Sequence, residues 1–320
     1  MYGGHMKKKK ILLIAGLVML VCSQVYARDP RFLSIGTAST GGAFYPIGIS
    51  MAELISKEVG INTSAIVTGG AVENNSLIEK ENVDIAITMS FMAYNASKGL
   101  SPYTKPQPNV NVLFSGLSKG VFHIVVNKNS DIYSISDLKG KKVALGPAGG
   151  GAIAVANDIF SYYNLGEDDF KPVYISYAQA ADSLTDGNVD AVVVQSAAPA
   201  SAISNLTAAR KPIRILSIED DVLNKLLAQA PYFSKEVLPK SMYGTDTDIV
   251  TVYTPLVVVV RKDLSEDLVY RITKSIFENQ DLIRNSHPSA KEFSLDIATE
   301  AVPTTIHPGA ARYFREQGKL

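Results

Sequence analysis

The 320-residue chain contains no tryptophan and a single cysteine. Without tryptophan it lacks the broadest platform for stacking against a sugar ring, which disfavours a sugar ligand. The one thiol, Cys22, lies inside an N-terminal apolar run, so a processed chain keeps none. Disulfides, zinc–thiolate clusters and cysteine nucleophiles are thereby excluded. Histidine is scarce too: beyond the N-terminus only His123, His287 and His307 occur, with no HExxH and no close ligand spacing. Neither a metal site nor an obvious general base is expected. An excess of charge is also missing. Lys+Arg and Asp+Glu both number 31, and a chain starting at Arg28 carries 27 basic against 31 acidic residues, a net charge of −4. A nucleic-acid partner is not expected from such a balance.

What is present at the N-terminus reads as an address. Lys7–Lys10 form a positive region, Ile11–Cys22 an apolar stretch, and Val25-Tyr26-Ala27 places small residues where a signal peptidase needs them. The apolar stretch falls short of the roughly 20 residues of a spanning helix. Residues 1–27 are therefore expected to be a signal peptide cleaved after Ala27, with release into the periplasm.

The whole chain is 46% hydrophobic and 19% charged, enough to bury a sizeable core. Short β-branched runs alternate with amphipathic stretches, the pattern of helices packed on a mostly parallel sheet, so the fold class is α/β. Arg31–Gly36 reads as a strand, and from Phe44 the residues Ile47, Met51, Leu54 and Ile55 share one helical face before Gly60 stops the helix. A second strand, glycine loop and helix begins near Lys142. The echo continues in Asn82-Val83-Asp84 against Asn188-Val189-Asp190, each entering a strand. Asp84 and Asp190 read as acids at a strand edge rather than as catalysts. Extended runs at 110–114, 121–127 and 249–260 are expected to cross between two lobes: 28–117 with 253–320 forming lobe I, and 118–252 lobe II.

Gly36-Thr37-Ala38-Ser39-Thr40-Gly41-Gly42 and Gly146-Pro147-Ala148-Gly149-Gly150-Gly151 both end where a helix begins. Helix N-termini present unpaired N–H donors and the positive end of a dipole, and glycine lets a ligand approach the backbone. Neither loop matches a P-loop or a strict Gly-x-Gly-x-x-Gly, so nucleotide cofactors are not expected. Neither carries Lys or Arg, which suits a carboxylate better than a polyphosphate. Phe44 and Tyr45 can wall the site. Gly116-Leu117-Ser118-Lys119-Gly120 has the spacing of a nucleophile elbow, but an extended run follows where the elbow needs a helix, so a serine hydrolase is the weaker alternative.

The stretch Ile35–Gly48, with Thr68–Asn74, Asp137–Gly146 and Ile306–Tyr313 following in order, resembles the TAXI family, the solute receptors of TRAP (tripartite ATP-independent periplasmic) transporters. The resemblance implies a type II periplasmic binding protein, a non-enzyme with no cofactor. Its two lobes would close on a glutamate, glutamine or 2-oxoglutarate type of organic acid or amino acid and deliver it to a TRAP-type membrane permease; a sensor kinase is the alternative recipient. It also implies solute contacts at Thr37, Ser39, Thr40, Gly41, Gly42, Phe44 and Tyr45, with Asn74 and Ser90 at later helix starts. The second lobe would contribute Gly149, Gly150, Gly151, Gln195 and Ala197. There the sequence departs from its relatives, having no hydroxyl in Gly149–Ala152 and Gln195-Ser196-Ala197-Ala198 before Pro199 where Ala-Gly is usual.

Overall fold

The first β-branched run forms β1 (Phe32–Gly36), and the helix expected after the glycine loop is α1 (Phe44–Val59), stopped by Gly60 in the left-handed conformation. A computed structural model describes residues 29–320 apart from Pro231, and Arg31–Leu320 form one compact unit. The expected signal segment, Cys22 and the cleavage after Ala27 lie outside the described residues. The first half continues with β2 (Asn62–Ile66), α2 (Ala71–Glu79), β3 (Ile85–Met89) and α3 (Ser90–Lys98). The long strand β4 (Val110–Asn127) then leads into β5 (Lys142–Ala144), α4 (Gly151–Ser161), β6 (Lys171–Val173), α5 (Tyr177–Thr185), β7 (Ala191–Ser196) and α6 (Ser201–Ala208). After β8 (Ile213–Ile215), α7 (Asp220–Gln229) and β9 (Ser234–Leu238), β10 (Ile249–Arg261) returns to the first half. There α8 (Glu266–Glu278), α9 (Gln280–Ser286) and α10 (Pro308–Glu316) complete the chain.

The strands order β2-β1-β3-β10-β4-β7-β5-β6, with β8 on β4 and β9 on β10. Each half repeats one pattern: a central strand (β1 or β5) flanked by two parallel neighbours, the inner of which pairs antiparallel with a crossing strand. The echoed acids hold equivalent positions in it. Asp84 Oδ2 accepts from the Ser34 N–H at 2.8 Å beside β1, and Asp190 Oδ2 accepts from the Lys142 N–H at 2.7 Å beside β5. Arg261 adds an ion pair to Asp84 at 3.2 Å. Both acids therefore fix where parallel pairing starts.

The two crossings run through the middle of this sheet. β4 is continuous from 110 to 127, pairing with β10 through Val110–Val121 and with β7 through Val121–Val126. Register shifts of β10 against β4 between Leu256 and Val259 mark the place where regular pairing gives way. Ser118 lies inside β4, and its hydroxyl donates to Ser289 O at 2.9 Å, so the strand–turn–helix setting of a nucleophile elbow is not formed. The C-terminal segment returns to the first half through Val112–Thr305 and His307–Val112 backbone bonds of 2.8 and 2.9 Å. Phe114, Phe277 and Phe293 pack there with centroids 5.2–5.3 Å apart.

The three histidines are structural. His287 and His307 each cap the turn or helix beginning at the following proline, Nδ1 accepting a backbone N–H at 3.2 Å. His123, buried in β4, donates from Nδ1 to the Val121 and Val194 carbonyls at 3.1 and 3.2 Å. Its Nε2 receives the Tyr243 hydroxyl at 3.2 Å, and that hydroxyl in turn accepts the Ala200 N–H at 2.7 Å. Burial depresses its pKa to about 4, against the opposing pull of the two carbonyls.

Candidate functional site

Helices α1, α2 and α4 all begin where the two halves meet, and none has a side-chain cap: their N-cap residues are Ala43, Gly70 and Gly150. Ser176 caps α5, which also starts at this seam, and Ser265 caps α8 away from it. A helix start leaves several backbone donors unpaired, so three uncapped starts at one seam concentrate donors there. Gly70 and Gly149, with φ of +117° and +82°, adopt backbone conformations that residues with a Cβ rarely do.

Each glycine loop meets a different part of the other half. The second glycine loop lies against Gly69-Gly70: the Glu73 N–H donates to Gly149 O at 3.0 Å, and a Cβ on Gly70 would stand 3.5 Å from Gly150 Cα. The first glycine loop lies against the starts of α5 and α6. The Ala202 N–H donates to Gly41 O at 3.0 Å, the Ala43 N–H to Ser196 Oγ at 3.0 Å, and the Tyr177 N–H to Ser39 Oγ at 3.4 Å. At one side the Phe91 and Tyr232 rings stack with centroids 4.7 Å apart. The space left inside is about 10 Å³, near the least that holds one water. Any larger solute requires the halves to part.

The expected residues divide accordingly. Gly42, Phe44, Gly150, Gly151 and Gln195 line the seam cavity, and Ser39, Gly41 and Gly149 make its closing bonds. Thr40 is exposed, and Tyr45 and Ala197 do not line the cavity. Thr37 and Asn74, both wholly buried, spend their polar groups within the first half. Thr37 Oγ1 donates to Ile66 O at 2.7 Å, and Asn74 Nδ2 to Thr37 O and Ile87 O at 2.6 and 2.7 Å. They clamp the loop after β1 rather than reach the cavity. Ser90, next to Met89, does not line the cavity, and its hydroxyl donates to Ala301 O at 3.4 Å. Eight lining residues were not among the expected contacts: Ala38, Gly69, Gly70, Ala71, Met89, Pro147, Tyr177 and Ser196. Met89 fills space against Gly151, whose Cβ would lie 2.6 Å from Met89 Cε. Tyr177, its hydroxyl pushed up to about 12 by burial, bonds the backbone of Gln195.

A fold of two α/β halves joined by two crossing strands, with helix starts facing across the join, has known counterparts. Residues 35–318 match the NMT1-like family. The chain belongs to that family. Among solved structures, PhnD1 from Prochlorococcus marinus in complex with methylphosphonate aligns at 12% identity over 91% of this chain and 100% of that one, with a TM-score of 0.54. A binding-protein component of a phosphonate ABC transporter from Pseudomonas aeruginosa aligns at 13% identity over 83% and 80%, TM-score 0.52. An ancestral arginine-binding protein bound to arginine aligns at 18% identity over 83% and 100%, TM-score 0.51. These likenesses establish the two-lobed type II periplasmic binding protein fold, and the halves described above are its lobes.

A larger cavity of about 450 Å³ lies on the crossing strands, bounded by Ser115–Lys119, Tyr253, Glu236 and the 288–301 segment. It shares no lining residue with the seam. Its main cation is already engaged: Lys119 Nζ is 2.9 Å from Glu236 Oε2 and 4.8 Å from the Tyr253 ring centroid. Burial opposes the charge on Lys119, but the hydrogen-bonded Glu236 carboxylate outweighs it and raises the pKa. Size favours this cavity over the seam, although a hollow of about 670 Å³ between α5 and α6 is larger still; the convergence of helix starts from both lobes favours the seam.

Proposed function

We propose that this NMT1-like chain is an exported solute receptor whose lobes close on a small organic acid at the seam and that passes it to a TRAP-type membrane permease. The observation that carries the reading is the meeting of three uncapped helix starts from both lobes around one cavity with no Lys or Arg in its lining. Backbone N–H groups at helix starts suit a carboxylate without a lysine or arginine partner. Lobe II, 118–252, would swing about the crossings near Ser118–Val121 and Tyr253–Leu256. The wide backbone contact across the seam supplies the contacts a solute must augment to favour the closed state. The TAXI motifs support the permease class, and the positive, apolar and small-residue order of residues 7–27 supports export.

A thermal-shift panel tests the reading. Amino acids, 2-oxo acids, methylphosphonate, an alkanesulfonate and a neutral sugar are compared, and a carboxylate at 100 times its Kd should add about 2.7 kcal/mol. Stabilisation by the phosphonate, sulfonate or sugar with none by any carboxylate sinks the organic-acid reading.

A further inference from the structure

Gln195, the penultimate residue of β7, lies on the wall of the seam cavity and is 4% exposed. Its Nε2 donates to Gly120 O, on crossing strand β4, at 2.7 Å, with Thr254 Oγ1 at 3.5 Å. A backbone carbonyl only accepts, so Gly120 fixes which end of the amide is nitrogen. The other end, Oε1, is buried without a hydrogen-bond partner among the described residues. Asn75 Oδ1 and Gln107 Oε1 are orphaned as well, but of the three only Gln195 is on the wall of the seam cavity, where a donor arriving with the solute can satisfy it.

A second acceptor stands at the same seam, beside the cavity rather than on its lining. The Glu73 carboxylate takes the Gly69 N–H at 2.5 Å and lies 3.5 Å from the position of a Cβ on Gly149. The seam therefore combines helix-start donors for one anion with acceptors that disfavour a second anion. No lysine or arginine lines the cavity to offset them.

We infer that the solute carries an N–H donor, an ammonium group above all, in addition to its carboxylate, and that Gln195 Oε1 receives it. Gln195 then selects amino acids over the corresponding 2-oxo acids. This rests on the organic-acid reading of the seam and narrows it. A site built to bond a substrate N–H rejects the analogue that lacks it, because its own buried group is left unpaired.

Calorimetric titration with two matched pairs, L-glutamate against 2-oxoglutarate and L-alanine against pyruvate, decides the matter. The amino member of the pair that binds should be at least tenfold tighter in the parent protein. In Gln195→Leu the ratio should fall toward one, whereas a merely structural loss would weaken both members together and leave the ratio unchanged. Gln195→Met serves the same purpose if the leucine variant does not fold, and the parent measurement needs neither. Equal or tighter binding of the 2-oxo acid overturns the inference and leaves the organic-acid reading standing, as does an unchanged ratio in a folded variant. Binding of methylphosphonate or an alkanesulfonate with no carboxylate bound overturns both.

Discussion

The seam and the hinge cavity both bring distant parts of the chain together, but different chemistry closes them. The seam is shut mainly by backbone and small side chains: Gly149 O, Gly41 O and the Ser196 hydroxyl each take an N–H from the other lobe, and glycine makes the approach possible. The hinge cavity keeps about 450 Å³ open and is edged by an ion pair, a cation–aromatic contact and prolines. Backbone contacts of the first kind form only when the lobes arrive in register, and they can part without unfolding either lobe. Side-chain contacts of the second kind tolerate small displacements. The smaller space is thus the one whose existence depends on lobe closure, and cavity volume is a poor guide to which space receives a solute.

The sharpest way to break this comparison is to stop the seam from closing. A Cβ on Gly69 would run into the Ala148 carbonyl oxygen of the other lobe, while its own φ is not in the left-handed region. Gly69→Ala should leave each lobe folded and hold the two apart. A larger radius of gyration by small-angle X-ray scattering and at least a hundredfold loss of L-glutamate affinity are expected. An unchanged radius would show that the seam does not set the closed geometry.

Acid should weaken the lobe II wall of the seam. His123 reaches α6 through Tyr243 and the Ala200 N–H, just beyond Ser196. Its folded pKa of about 4 lies below the ordinary 6.5, so the unfolded chain takes up the proton first as the pH falls. Stability is then complete above about pH 6.5 and is lost progressively down to about pH 4, by about 3 kcal/mol from this group. His123→Phe should flatten that part of the pH profile of urea unfolding. A profile equally steep in the variant would assign the acid sensitivity elsewhere.

Ser196→Ala removes the acceptor for the Ala43 N–H across the seam, at a buried position. One such bond contributes about 1 kcal/mol, so L-glutamate affinity should fall by roughly fivefold with little change in the stability of the unliganded protein. Equal losses in both quantities would mean that the bond serves folding rather than closure.

Much of this arrangement was legible in the chain. The duplicated strand, loop and helix showed in the glycine runs after β1 and β5, and the Asp84/Asp190 echo marked equivalent positions correctly. Which loops touch was not legible. That pairing depends on how the lobes rotate about β4 and β10, and local sequence carries no measure of the rotation. Gly69-Gly70 therefore passed as a motif, although it faces Gly149-Gly150 directly. Thr37 and Asn74 came from the TAXI resemblance; their burial against Ile66 O and Ile87 O could be seen only once three strands were in place. Tyr177 did have a local signal, the capping box from Ser176 to Gln179, which announces a helix start. Met89 had none, since an apolar residue at a strand end looks the same whether it packs in a core or plugs a cleft.

The smallest expected effect is the one that separates the two spaces most directly. Lys119→Met removes the ion pair with Glu236 and the contact over Tyr253 at the hinge cavity while keeping the length and apolar stem of the side chain. The lysine side chain is 45% exposed, so the pair is solvent-screened and contributes no more than about 1 kcal/mol to stability. None of the seam bonds passes through Lys119, so L-glutamate affinity should stay within twofold of the parent. Glu236 becomes unpaired at 19% side-chain exposure, and a modest fall in Tm should be the main consequence. If the variant instead loses affinity tenfold at unchanged Tm, the solute sits in the hinge cavity and makes its charge contact with Lys119, and the seam is only the latch that closes over it.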